Sequence, residues 1–476
     1  MKFGLLHILA LYIGVLIFLS FWLSRKAKSL EDFFLASRNL PAGLVYFSLV
    51  ASWIGATSVL VSVDEAYHRG VSSIWVMGVP AVLTALVFAF FLARPIRRLH
   101  IVSLPDLVEM RYGKGVRHLV AVLIVWYMVV LAASQMVAIG NFLKVLLRIS
   151  YIEALFLGTC VVLIYAVLGG FLSVVITDAF QFFLLVLGLI GLLFLLLGET
   201  SLPDVIGLTS QAGRADYFSI FADLERNLLI VLSFVCAWTI SPIVWQRIQA
   251  ARSEKHARRG LFASAITFLG IYGILVFIGI FAVGLFPSGI KENPILSELI
   301  LSHSGEILGM VLFLGIVAAI MSTMDTAINT GALSLTRDIY QRILAPVDSK
   351  SMVLAGRLST VVITLLAFLI ATRLQSILQT LGLATEIMAE GFFIPGMAML
   401  FLSRKMPTAG LLSVVIGGGY AVFAFLNGMD LLHVAWPVWP YSVPYGLLLS
   451  LLGFGLGLYI DRKVSTKASD CQSSLK

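Results

Sequence analysis

The stretch VASWIGATSVLVS, residues 50–62, lies inside an apolar segment, yet it is poorly suited to a continuous helix. Its small residues are Ala51, Ser52, Gly55, Ala56, Thr57 and Ser58. Such a run predicts an unwound helix centre whose free carbonyls can bind a cation. Irregular backbone at membrane depth is tolerated only where it is buried in protein or lines a cavity. A close helix-packing face is the alternative interpretation.

A second stretch, CAWTISPIVWQR at residues 236–247, carries a matching interruption five apolar segments later. Pro242 lacks a backbone N–H and frees carbonyls one turn earlier. Interrupted helices at corresponding places in two halves of a chain indicate an inverted-repeat transporter with its site near the membrane midplane. The substrate cavity is therefore expected between the breaks at Ser52–Gly55 and Thr239–Pro242.

Composition predicts an all-α polytopic membrane protein. The chain is 60% hydrophobic and 12% charged, with a mean hydropathy of +1.01. Apolar runs long enough for the ~30 Å hydrocarbon core recur from end to end. The thirteen predicted spans are 3–24, 42–63, 72–94, 118–143, 151–168, 172–197, 227–246, 261–286, 307–334, 353–372, 378–401, 408–426 and 439–460. The fifth is short and ends in glycine, so a count of twelve stays open.

The distribution of Lys and Arg predicts the orientation. With the N-terminus outside, the inner segments hold 25 of the 33 basic residues. The eight outer ones are Lys2, Arg69, Lys144, Arg148, Arg214, Arg226, Lys291 and Arg373. Cytoplasmic loops carry such an excess, so we expect a multi-pass plasma-membrane protein with a cytoplasmic tail at 461–476. The charges form no stripe, which disfavours a nucleic-acid partner.

Two carboxylates are predicted inside the membrane. Asp325 lies in AAIMSTMDTAINT (318–330), and Asp178 lies in GGFLSVVITDAFQ (169–181). A charged side chain at mid-helix costs roughly 2.5–3.5 kcal/mol even on a mild scale, so it marks a functional site by default. Hydrogen bonding between helices is the alternative. No basic residue is expected at this depth in neighbouring spans, so Asp178 is predicted to meet a bound cation or the polar cluster around Asp325.

Other classes of protein find little support in the sequence. The three cysteines and seven histidines show no metal-ligand spacing and no disulfide framework. Neither a nucleophile–base pair nor a P-loop is visible. We therefore expect neither an enzyme nor a pump driven directly by ATP.

Several motifs resemble the sodium/solute symporter family. GGFLSVVITDAFQ matches its GGxxSVxxTDxxQ signature, and AAIMSTMDTAINTGALSLTRDIY (318–340) resembles its helix ending in DIY. The resemblance implies a LeuT-type fold, a five-plus-five inverted repeat with peripheral helices. The implied parts are an extra helix at 3–24, repeat one at 42–197, repeat two at 227–401, two peripheral helices within 408–460 and the tail.

The resemblance also implies ion sites. The principal sodium site would be formed by carbonyls and hydroxyls of Ala51, Ile54, Ala319, Ser322 and Thr323. Neutral oxygens suit a hard ion such as Na⁺. A second cation, either Na⁺ or H⁺, would be held near Asp178, Asp325 and Thr326, because two close carboxylates bind a cation or share a proton.

The residues expected to contact substrate are Trp53, Ser58, Gln135, Trp238 and Glu386. The resemblance aligns Ala237 with a tyrosine that covers the sugar in the family's sugar transporters. Its absence here argues against a hexose as the substrate. Tryptophan faces attract amines and quaternary nitrogens. Glu386 and Glu390 lie one turn apart on one helix face. The alternative to a role in substrate binding is a structural one, at a shallow position near the extracellular end that reaches water.

The predicted function is secondary active symport of Na⁺ with a small organic solute, by alternating access through a monomeric transport unit in the lipid bilayer. The solute could be an amino acid, a quaternary amine, a vitamin or a monocarboxylate. The alternative is a non-transporting membrane sensor or a channel-like protein on the same scaffold.

Overall fold

The computed structural model describes residues 7–15, 18, 38–99, 101, 103–168, 171–290, 293–344 and 349–474. Within this part of the chain, helices are joined by turns and loops, and the one β feature is an isolated bridge between Leu40 and Ala251. The expected all-α class is therefore confirmed. Most of the predicted span 3–24 lies outside the described residues, although 7–15 are helical. The glycine pair at 169–170 lies outside them as well.

Nineteen α-helices follow from residue 42 onward. They are α1 (Ala42–Trp53), α2 (Ala56–Arg69), α3 (Gly78–Val87), α4 (Ala93–Arg98), α5 (Leu104–Tyr112), α6 (Lys114–Leu147), α7 (Tyr151–Leu168), α8 (Phe171–Glu199), α9 (Leu202–Gln211), α10 (Leu224–Thr239), α11 (Pro242–Ala250), α12 (Glu254–Leu285), α13 (Ile295–Ser302), α14 (Gly305–Leu333), α15 (Gln341–Leu344), α16 (Ser349–Arg373), α17 (Ile377–Phe401), α18 (Pro407–Gly428) and α19 (Val443–Ser474). A 3₁₀-helix covers Gly70–Trp75, and π-helical turns cover Phe88–Leu92 and Ser334–Tyr340.

The predicted membrane spans from residue 42 onward all coincide with helices or broken helices. Within the described residues, nine helical segments are long and apolar enough to cross a membrane, and the bent pair α10–α11 makes ten. Helix α1 and residues Tyr151–Ile164 of α7 are apolar but shorter. The total of thirteen spans stays a prediction.

The first predicted break lies between α1 and α2. Ile54 leaves the helical region with φ −90° and ψ 64°, and Gly55 is extended with ψ 178°. A Cβ atom on Gly55 would lie 2.9 Å from Oε1 of Gln135 and would collide with the hydroxyl of Thr323. Glycine is therefore required, because α6 and α14 approach the broken backbone too closely for a side chain.

The second predicted break separates α10 from α11. Ile240 and Ser241 interrupt the helix, and the axes on either side differ by 44°. Pro242 begins α11, where its fixed φ suits the first helical turn and its missing N–H costs nothing. The two halves of this span can therefore point their ends at one central site.

Burial separates a helix core from a lipid-facing shell. In their most apolar windows, α6 and α17 bury 78% of residues, whereas α16 and α19 bury 33%. Helix α14 packs against α1, α2, α6 and α8, and α11 packs against α1 and α14. The two broken spans and the polar part of α14 therefore share one buried centre.

The last two helices pack tightly against α17 and each other. A Cβ atom on Gly446 of α19 would overlap the carboxyl group of Glu390 on α17. One on Gly457 of α19 would overlap the backbone of Ala409 on α18. Such small-residue contacts let helices approach closely in a membrane, so α17, α18 and α19 form one closely packed unit.

Candidate functional site

The predicted sodium-site residues lie on the two elements that come together at the break between α1 and α2, where Thr323 of α14 lies against Gly55. Ala51 and Ile54 lie at the end of α1, and Ala319, Ser322 and Thr323 lie on the facing turn of α14. All five are buried. The break leaves carbonyls at the end of α1 without intrahelical donors. Carbonyl and hydroxyl oxygens, the ligands that Na⁺ accepts, are thus concentrated in one place.

Two neutral oxygens near the break have no hydrogen-bond partner among the described residues. They are Oγ1 of Thr323 and Oε1 of Gln135. Gln135 is fully buried, and its Nε2 donates to Oγ1 of Thr57 over 2.8 Å. Because both atoms approach Gly55, they face the same small region. Buried polar atoms are normally satisfied, so these two oxygens are suited to an ion or a polar ligand.

Asp178 is joined to the sodium-site helix. The hydroxyl of Ser322 donates to its Oδ1, and that of Ser48 donates to Oδ2 over 3.3 Å. Asp178 is 0% exposed. Ser322 therefore belongs to the predicted first ion site and also borders the predicted second one.

A buried arginine lies among the residues predicted to hold a second cation. Arg247 of α11 is 1% exposed and interacts electrostatically with Asp178 and Asp325. Its terminal nitrogen donates to Ser52 and, over 3.4 Å, to Oγ1 of Thr326. The expectation that no basic residue reaches this depth is therefore wrong. The helix after the second break turns inward and carries Arg247 into the site.

The aromatic residues form a continuous cluster beside both breaks. The rings of Trp53 and Trp238 lie 5.4 Å apart between centroids, and Phe268 lies 5.3 Å from Trp53. Phe234 stacks on Trp238 at 4.8 Å. The structure thus brings the two predicted tryptophans together. Ser58 instead donates to the carbonyl of Trp53 over 2.8 Å, which satisfies a backbone group freed by the break.

Glu386 lies on the part of α17 that packs against α19. Its Oε1 accepts a hydrogen bond from Ser442, just before α19. Glu390, one turn later, packs against Gly446. The hydrogen bond of Glu386 therefore goes to a peripheral element and not to Trp53, Trp238 or Gln135. Both glutamates are 0% exposed, so neither side chain reaches water. Their depth in the membrane stays a prediction.

Sequence reasoning missed Arg247, Ser48 and Phe268 as parts of this centre. Arg247 lies one residue beyond the predicted span 227–246 and was assigned to an inner loop. Its distance from Pro242 could have identified it. Arg247 follows Pro242 by five residues, which is little more than one helical turn beyond the break. Ser48 lies one turn before Ser52 on α1, a spacing that puts both on one face.

Two broken helices thus surround one buried polar centre, an arrangement typical of membrane carriers. A model of the "Sodium:solute symporter family" matches residues 33–418, and the chain belongs to this family. Sodium-coupled solute uptake is the corresponding class of activity, with Na⁺ and a solute as partners. The chain is accordingly a multi-pass membrane protein.

Relatives are transporters of several solutes. The "Sodium/glucose cotransporter" of Vibrio parahaemolyticus is 26% identical over 460 residues, 87% of this chain and 84% of the relative. The "Sodium/proline symporter" of Staphylococcus aureus is 24% identical over 93% of this chain and 90% of its own length. "High-affinity choline transporter 1" of Drosophila melanogaster is 22% identical, covering 87% and 69%.

Solved structures support the fold. A Na⁺-coupled sialic acid symporter in a substrate-bound outward-open state matches with a TM-score of 0.80 and 18% identity, over 96% of this chain and 98% of that one. Mhp1, a nucleobase-cation-symport-1 family transporter in a closed conformation, matches with a TM-score of 0.56 and 13% identity, over 91% and 95%. The LeuT-type architecture is therefore confirmed.

Proposed function

We propose that this protein is a secondary active symporter that couples inward Na⁺ flux to uptake of a small organic solute by alternating access. The observation that carries the proposal is the pair of unpartnered oxygens of Thr323 and Gln135 at Gly55. One belongs to the proposed sodium site and the other to the proposed solute cavity. An ion bound to Thr323 would therefore neighbour a solute bound to Gln135, and binding of one would favour binding of the other.

The proposed solute site is walled by the aromatic cluster and Gln135. The neighbouring rings of Trp53 and Trp238, tilted by 36° to each other, suit an apolar or quaternary-nitrogen group. The amide oxygen of Gln135 accepts one hydrogen bond from a polar solute group. Amino acids, quaternary amines, vitamins and monocarboxylates fit this description better than a hexose, which needs many polar partners. We also propose that Glu386, on the side of α17 that faces α19, influences the binding of a cationic solute without touching it.

A cleft lined by α5, α6, α11 and α14 lies beside the second break, and we propose it as the route from the site to one membrane face. Pro242, Gln246, Thr330 and Ser334 lie on its walls. We assign this face to the cytoplasm, with the N-terminus outside and the C-terminus inside, because of the Lys and Arg distribution. Repeat one would then be 42–197 and repeat two 227–401, working as a monomeric unit.

Uptake into proteoliposomes tests the proposal. The purified chain is reconstituted, and accumulation of radiolabelled proline, choline, pantothenate, acetate and glucose is followed under an inward Na⁺ gradient. At least one non-hexose solute should accumulate above its outside concentration, and replacing Na⁺ with K⁺ should abolish this. A protein that binds Na⁺ yet accumulates no solute in a wider panel would support the sensor alternative. Flux without accumulation would support a channel-like protein.

A further inference from the structure

A cleft beside the start of α10 is lined by residues that neither the ion site nor the solute site uses. It lies between the first turns of α10 and α19 and has a volume of about 600 Å³. The segment 429–442, which joins α18 to α19, supplies much of its lining. The Lys and Arg distribution assigns this segment to the outside, so we call the feature the outer cleft. The family model ends at residue 418, before this segment begins.

Three aromatic residues line the outer cleft. They are Trp436, Tyr441 and Tyr445, which are 44%, 43% and 48% exposed. The rings of Trp436 and Tyr445 lie 6.0 Å apart between centroids. The indole N–H of Trp436 donates to the hydroxyl of Tyr420 over 2.8 Å, so its polar edge is already bonded within the protein. The exposed ring surface that remains can attract an organic cation.

A carboxylate completes the lining of the outer cleft. Glu225, in the first turn of α10, is exposed and has no ion pair among the described residues. The adjacent Arg226 pairs instead with Glu65 over 3.4 Å. Leu229, one turn after Glu225, adds an apolar contact to the same cleft. Aromatic and apolar walls beside an unpaired carboxylate match a small organic cation in both shape and charge.

The outer cleft is separate from the solute site, although one short segment contributes to both. Trp439, three residues after Trp436, donates its indole N–H to Ser233 over 3.0 Å, and its ring lies 5.8 Å from that of Phe234. A Cβ atom on Gly382 of α17 would overlap this indole. Trp439 therefore packs against the aromatic cluster of the solute site, whereas Trp436 lines the outer cleft.

We propose that the outer cleft is a second binding site, specific for a small organic cation such as a quaternary amine. The inference goes beyond the proposed symport, because binding in the outer cleft needs neither Na⁺ nor transport. The affinity should lie in the millimolar range, since exposed cation–π contacts and exposed charge pairs each contribute little.

Fluorine NMR of the full-length chain tests this site directly. The protein is produced with fluorinated tryptophan and purified in a maltoside detergent without Na⁺. The signal of Trp436 is identified as the one that Trp436→Phe lacks. Choline and dimethylbutanol, its uncharged carbon analogue, are then titrated. Choline should shift the Trp436 signal saturably, and dimethylbutanol should need at least about a fivefold higher concentration, because it lacks the charge.

Two variants examine the carboxylate and the rings. Glu225→Gln should raise the choline concentration for half-saturation about fivefold, the effect of losing one exposed charge pair. Tyr445→Leu should raise it about threefold through the loss of one cation–π contact. Glu306→Gln is the matched control, because Glu306 is likewise exposed in the first turn of a helix and has no ion pair among the described residues. It should leave the half-saturating concentration unchanged.

The folded wild type decides the inference even if a variant fails to fold. No saturable shift of the Trp436 signal by choline would overturn it, and the rings would then be interfacial anchors. Equal half-saturation by choline and dimethylbutanol would overturn it too, because the site would not recognise charge. Choline binding should persist in nanodiscs of phosphatidylglycerol and of phosphatidylcholine. Its loss in phosphatidylcholine alone would overturn the assignment to a free cation, since a lipid headgroup would then occupy the outer cleft.

Discussion

The protein contains two buried pairs of acidic residues, and the two pairs have opposite surroundings. Asp178 and Asp325 face Arg247, a fully buried guanidinium, and Asp178 accepts hydrogen bonds from two serines. Glu386 and Glu390 have Ser442 and close helix packing around them. Among the described residues, neither glutamate has an ion pair, and the two carboxyl groups lie against each other.

The difference shows which pair is built to hold charge. A buried carboxylate keeps its charge when a cation and hydrogen-bond donors surround it, and otherwise takes up a proton or a cation. The first pair lies on α8 and α14, beside Arg247 of α11, so its charge can act on an ion bound near the breaks. The second lies between α17 and the peripheral helices, where a fixed charge would only cost stability.

The largest expected contrast is in stability. Asp178→Asn leaves Arg247 with one carboxylate fewer, and breaking a buried charge pair costs roughly 3–5 kcal/mol. Glu390→Gln, the matched control, removes a carboxylate that has no cation to lose, so its effect should stay within about 1 kcal/mol. Thermal unfolding in detergent compares the two. An equal loss of stability in both variants would show that the surroundings of the two pairs do not differ in their effect on stability.

A smaller effect is expected at the sodium site next to the first pair. Ser322→Ala and Thr323→Ala each remove one neutral oxygen, so the Na⁺ concentration for half-maximal uptake should rise tenfold or more, equivalent to roughly 1.5–3 kcal/mol. Thr364→Ala is the control, because Thr364 is buried but bonds only its own helix backbone. Wild-type Na⁺ dependence in both site variants would refute this assignment.

The smallest effect is expected at the second pair. Because Glu386 holds a proton in this packing and gives it up only when a cationic solute binds nearby, Glu386→Gln should weaken a cationic solute by about threefold, equivalent to about 0.6 kcal/mol, and leave a neutral solute unchanged. Competition of unlabelled solutes against the uptake measured in proteoliposomes gives both numbers. A loss of a hundredfold for the cationic solute alone would show that Glu386 touches it directly.

The sequence predicted the breaks because they are local. Gly55 and Pro242 act through their own backbone, and the residues next to them in the sequence indicate a helix break without any tertiary information. Asp178 and Asp325 were found for a similar reason, since a carboxylate in an apolar run stands out wherever the helix points. The structure places Ser322 against Asp178, consistent with the motifs from which both were chosen.

Arg247 and Glu386 were harder because their surroundings depend on helix direction. A count of loop charges assigns Arg247 to the water phase, and only the 44° bend turns α11 so that the side chain enters the site. The four-residue spacing of Glu386 and Glu390 shows that they share a face of α17. It does not show that this face meets α19, because the rotation of a helix is decided by its packing partners.

The closely packed unit of α17, α18 and α19 should make the turnover rate of the carrier depend on the thickness of its bilayer. Gly446 and Gly457 let α19 approach α17 and α18 closely, while Leu448, Leu452 and Leu456 of α19 are more than half exposed towards lipid. Any tilt of α17 during turnover must therefore carry two peripheral helices through the acyl chains. Lipids with longer or shorter tails would then change the turnover rate without touching the ion or the solute.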